Sequence, residues 1–93
     1  MLNAPDDPAD LVELRGLLRE EHAPASPAQE ILVDDMAYCL WRARRLQAAL
    51  AAADPTDLEA TTYLQDLVTS ATENYRYALQ GFTIVRDRRA ARS

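Results

Sequence analysis

Between Leu64 and Val85, the residues Leu64, Val68, Ala71, Tyr75, Ala78, Phe82 and Val85 follow one another at alternating steps of four and three. Intervals averaging about 3.5 keep an apolar stripe on one side of a long α-helix and require a second helix alongside it. A matching stripe of Leu32, Met36, Cys39, Ala43, Leu46, Leu50 and Ala53 lies upstream. Only Asp54-Pro55-Thr56-Asp57 interrupts the pattern between them, and so short a connection predicts antiparallel neighbours. Ala43, Ala71 and Ala78 are small enough to let the two axes approach closely.

Start and stop signals divide the rest. Asp7 as cap before Pro8, with Asp10 in the first turn, predicts a helix that carries Leu11, Leu14 and Leu18 on one face. His22-Ala23-Pro24 stops it, and His22 is expected to be a solvated terminal residue. Ser26, Pro27 and Gln29 form a capping box for the second helix. The third is capped either by Asp54 before Pro55 or by Thr56 with Glu59. Gly81 and the β-branched run after it weaken the last helix, and an extended tail is the alternative there. Continuation is favoured because Phe82 and Val85 stay in phase, with fraying expected from Ala90 to Ser93. The expected fold is all-α: a short N-terminal helix and a long antiparallel helical hairpin over about 8–22, 27–53 and 57–88, one three-helix domain completed by oligomerisation.

Each long helix carries apolar residues that its seam does not use. Ile31, Tyr38 and Trp41 fall opposite Met36 and Ala43, in company with Asp34 and Arg45, at about 100° per residue. Tyr63, Ser70, Tyr77 and Ile84 form a further row at intervals of seven. Either the first helix folds over Tyr38 and Trp41 and makes them core, or these rows meet another chain, since Trp, Tyr and Arg are enriched at interface hot spots. Ile31, Tyr38, Trp41, Arg45, Tyr63, Tyr77 and Ile84 are the candidate partner interface. The expected partner is a second copy or another protein.

Charge is polarised beneath a formal total of −5. Acids crowd the chain before Met36, whereas every basic residue is an arginine, gathered at Arg42, Arg44 and Arg45 and again at Arg86, Arg88, Arg89 and Arg92. Solvated helix faces with dipole compensation explain this pattern, and a docking surface for an anionic partner is the alternative. Were nucleic acid bound, Arg42, Arg44, Arg45, Arg86, Arg88 and Arg89 would have to form one continuous strip. An antiparallel hairpin separates the two groups along its axis.

The chemistry of catalysis is missing from the sequence. His22 is the sole histidine, Cys39 lies within an apolar stripe, and Gly16 and Gly81 are too few for a phosphate loop. Asp10 with Glu13 and Glu30 with Asp34 are carboxylate pairs near helix starts, which the dipole alone accounts for. The expectation is therefore no enzyme, cofactor, metal or small-molecule substrate. With no run of about 18 apolar residues and an acidic beginning, neither a membrane span nor a signal sequence is expected, and the compartment is read as cytoplasmic. A lone cysteine agrees with that compartment.

Leu32-Val33 and Leu40-Trp41-Arg42-Ala43-Arg44-Arg45, with Asp7-Pro8-Ala9-Asp10-Leu11 upstream and Tyr77-Ala78-Leu79 downstream, resemble the C-terminal helical region of a widespread group of uncharacterised bacterial proteins. Members of that group carry an N-terminal basic Ala-Leu-Lys-His-Gly-Leu segment, similar to one in some phage small terminase subunits. That segment does not occur in this sequence, nor does the Arg-Tyr-Glu run expected early in the last helix. The resemblance implies a helical fold and a phage or mobile-element setting, and carries over no nucleic-acid role from the basic segment.

Overall fold

The structure is a computed structural model describing residues 7–92. The polar leader over 1–6 and Ser93 lie outside the described residues. Three α-helices account for nearly all of what is described: α1 (Ala9–His22), α2 (Pro27–Ala52) and α3 (Leu58–Arg92). The fold is all-helical, with no strand among the described residues.

The start of α2 follows its sequence. Ser26 is extended, at φ −149°, and its Oγ accepts from the Gln29 N–H at 3.2 Å. The returning bond differs by one residue: Gln29 Oε1 accepts from the Ala25 N–H at 2.8 Å rather than from that of Ser26. Gln29 is thereby buried with its carbonyl satisfied. Two other starts depart from expectation. Pro8, at ψ 140°, and not Asp7, occupies the cap position of α1, with no side-chain bond, and the Asp7 carboxylate pairs with Arg15 at 3.1 Å. Asp57 caps α3, its Oδ1 accepting from the Ala60 N–H at 3.1 Å. Asp54 instead folds the turn on itself, accepting from the Thr56 N–H at 2.9 Å and hydroxyl at 2.7 Å.

α2 and α3 pack as an antiparallel hairpin along the two sequence stripes. Met36, Ala43, Ala71 and Phe82 are buried in the seam, and Leu32, Cys39, Leu46, Leu64, Val68, Tyr75 and Val85 are half-buried along it. α3 runs unbroken through Gly81 to Arg92, past the end expected near residue 88. At Gly81 α3 passes close to α2: an added Cβ would stand 3.2 Å from Leu32 Cδ2, which would have to give by a few tenths of an ångström.

α1 does not cover Tyr38. It packs Leu14 and Leu18 against the Val33 and Ala37 side of α2, in one core cluster with Met36 and Phe82, and Leu11 is buried as well. No backbone of α1 approaches α3; the link is through side chains, including the His22 ring edge-on to Phe82 with centroids 5.2 Å apart. His22 is therefore half-buried and not a solvated end. The helix is fastened from α2 by Asp34, which accepts from Arg19 Nε at 3.0 Å and from a second Arg19 nitrogen at 2.8 Å, with Arg15 Nε at 3.8 Å. Asp34 thus turns toward α1 and not outward with Arg45.

Lengths explain the asymmetry that results. At 1.5 Å per residue α1 reaches about 21 Å while α2 reaches about 39 Å and α3 about 52 Å. Only one end of the hairpin is three helices thick, and Val33, Met36 and Phe82, the largest fully buried side chains, sit there. At the other end Leu46, Leu50, Leu64 and Leu67 are half-buried and Leu58 is exposed.

Candidate functional site

The surface offers two groups of large apolar side chains. On α2, Ile31 and Tyr38 are about half exposed, and Tyr38 lies against Trp41 with ring centroids 5.9 Å apart. Trp41 itself is half-buried against the core cluster, with the Arg45 guanidinium 4.9 Å from its ring centroid. Its indole N–H is buried without an acceptor among the described residues. Ile31, Tyr38 and Arg45 are thus the exposed part of this group, and Trp41 is the half-buried ring that Tyr38 and Arg45 both contact.

On α3, Tyr63, Tyr77 and Ile84 are 64%, 68% and 51% exposed. Spaced by seven on an unbroken helix, they stand with Ser70 on the face turned away from the α2 seam. A seven-residue repeat drifts by about 20° per step on a straight helix, so the row winds gently around the axis. Beside it, Leu79, Gln80, Thr83 and Ile84 line a shallow, mostly apolar hollow of about 380 Å³.

The arginines are placed in two groups. Arg88, Arg89 and Arg92 line a hollow of about 310 Å³ with Val85 and with Ser26 at the start of α2. Arg42, Arg44 and Arg45 lie further along α2, about 24–28 Å from Ser26 at the helical rise. Arg86 makes a 3.3 Å pair with Asp87 and lies 5.9 Å from the Phe82 ring centroid. These groups do not merge into one strip.

The Cys39 thiol is pushed up, first by burial and then by Asp35, with Arg42 opposing, so it is held as thiol rather than thiolate. Among the described residues no three His, Cys, Asp or Glu side chains come together as a metal-holding group. The Asp34 carboxylate holds Arg19 more firmly in its charged form, a structural pairing rather than a reactive one. No described helix is long and apolar enough to cross a membrane.

Fold and surface together define a small all-helical protein whose notable surface feature is apolar and aromatic. No family model matches the chain, and neither a curated protein nor a solved structure matches it.

Sequence reasoning missed the face that α1 uses. Val33 and Ala37 belong to neither stripe, yet both are fully buried. The doublets Leu32-Val33 and Met36-Ala37 were the available signal, because adjacent apolar residues repeated at i and i+4 widen a stripe enough to serve two neighbours.

Proposed function

We propose that this chain is a non-catalytic helical interaction or assembly module, a cytoplasmic protein whose bundle is completed by self-association or by docking onto a larger protein complex. The observation that carries the reading is surplus surface. A compact chain of 93 residues has a radius of gyration of about 12 Å, whereas this one has 15.8 Å and extends 56 × 28 × 17 Å. A protein of 10.4 kDa is expected to expose roughly 5,400 Å²; this one exposes 6470 Å². The excess is of the order of one partner's share, about 800 Å², of a specific interface. Tyr63, Tyr77, Ile84, Ile31 and Tyr38 contribute to it, side chains that gain most from being covered.

The runner-up is an accessory nucleic-acid binder of a phage or mobile-element machine. The arginine hollow beside Ser26 speaks for it. Against it stand the distance between the two arginine groups and the acidic first third of the chain, which repels phosphate. Such binding is expected to be no tighter than about 10⁻⁵ M at physiological salt, within the nonspecific range.

Sedimentation across micromolar concentrations, alone and with the products of neighbouring genes, tests the assembly reading. The expected result is a mass above that of one chain in at least one of these mixtures. A strict monomer in all of them overturns the reading, and a submicromolar, salt-sensitive nucleic-acid complex lost in R86A/R89A replaces it with the runner-up.

A further inference from the structure

The geometry points to a second copy of this chain as the occupant of the outer face of α3, in a two-fold antiparallel pairing of α3 with α3. This rests on the assembly reading and commits it to one partner and one register. The row on that face is mirrored about the point midway between Glu73 and Asn74. Counting outward, Ser70 stands level with Tyr77 of the other copy, Tyr63 with its Ile84, and Glu59 with its Arg88. Small meets large near the axis, apolar meets apolar further out, and acid meets base at both ends. Glu59, Tyr63, Ser70, Tyr77, Ile84 and Arg88 are all exposed, Arg88 at the edge of the face, where it also lines the hollow beside Ser26.

Helix geometry supports the register. Side chains tilt toward the N-terminus of their own helix, so level residues on antiparallel helices lean in opposite directions and pass side by side. The seven-residue repeat suits a left-handed crossing that keeps the row at the contact along its length. From Glu59 to Arg88 the seam runs about 43 Å, and at a helix width of about 10–12 Å it covers roughly 450–500 Å² per copy. That total of roughly 900–1,000 Å² lies at the lower limit for a specific interface, which implies dissociation in the micromolar range rather than an obligate dimer.

One like-charge approach is built in. The Glu73 carboxylates of the two copies flank the axis, each also opposite an Asn74, and their repulsion keeps the dimer weak.

The test is a charge cross. E59R alone or R88E alone sets like charges at both ends of the seam and is expected to weaken self-association about tenfold. Mixing E59R with R88E restores opposite charges at both ends, so the two variants are expected to form a heterodimer about as tight as the wild-type pair, as is the double variant E59R/R88E with itself. E73Q is expected to tighten the wild-type dimer several-fold. Circular dichroism of each variant monitors the fold, because Glu59 lies in the first turn of α3 and E59R gives up its compensation of the helix dipole. A wild-type chain that stays monomeric at high micromolar concentration overturns the pairing. So does association that ignores both charge reversals, an outcome that leaves the broader assembly reading standing on another face.

Discussion

Removing the Asp34 carboxylate is expected to release α1 from the hairpin before the hairpin itself melts. Asp34 is 12% exposed in its side chain and accepts two bonds from Arg19, while Arg15 approaches the same carboxylate and is 14% exposed. Hydrogen bonds to charged groups contribute roughly 1.5–3 kcal/mol when well made. Arg19 is 29% exposed, so solvent screening cuts the pair toward the low end of that range. Arg15 also keeps its contact with Asp7 when Asp34 is gone. Together these place Asp34→Ala at about 2 kcal/mol, against a total of about 5–14 kcal/mol for a chain of this length.

The loss falls on α1 because little else holds that helix. Its buried side chains are Leu11, Leu14 and Leu18, each worth roughly 1.5–3 kcal/mol, and the His22–Phe82 ring contact is its further tie to the hairpin. Urea unfolding followed by circular dichroism measures the total, and amide exchange of α1 against α2 locates it. Faster exchange confined to α1 is the expected pattern, and Asp34→Asn, which keeps one acceptor, is expected to cost about half as much. An Asp34→Ala and Arg19→Ala double-mutant cycle isolates the pair, and a coupling below about 0.5 kcal/mol would refute the clamp.

The two glycines make a matched pair: Gly16→Ala, whose new Cβ meets nothing within 4 Å, is expected to stabilise by about 1 kcal/mol, whereas Gly81→Ala must push aside Leu32 Cδ2 at 3.2 Å and is expected to return little or none of that gain in thermal melts. Ala23 ends α1 in the left-handed region at φ 46°, so Ala23→Gly is expected to stabilise by about 0.5–1 kcal/mol, and a drop in melting temperature would count against the cap geometry. The Cys39 thiol, held up by burial and by Asp35, is expected to alkylate slowly near pH 8 in the native protein and quickly in urea. The raised value also contributes stability that is fully present below the ordinary thiol pKa of about 8.5 and lost as pH rises through the folded one; equal alkylation rates with and without urea would contradict the burial.

What was legible in this sequence, and what was not, divides along a physical line. The hairpin could be read because its information is periodic: Leu32 to Leu50 and Leu64 to Val85 repeat at helical spacing, and a short polar break between them leaves one arrangement. Caps were read less well because a cap is a contest among neighbours. Asp54, Thr56 and Asp57 all could end the turn, and the winner was the residue whose carboxylate reached the third backbone N–H of α3 while Asp54 was held by Thr56. The docking of α1 was hidden for another reason. Asp34 and Arg19 are fifteen residues apart on different helices, so no local period relates them. Viewed along α2 alone, Asp34 shares an outward face with Tyr38 and Arg45 and reads as solvated. Only the length of α1 and the i, i+4 placement of Arg15 and Arg19 reveal that a carboxylate on α2 has two guanidinium groups to meet. The same reasoning bears on the outer row of α3. Its residues are periodic, so the row could be read, but α1 is too short and too firmly held by Asp34 to reach it. On the proposed pairing that uncovered face is where a second copy of α3 is expected to dock, with the mirrored charges of Glu59 and Arg88 setting its register.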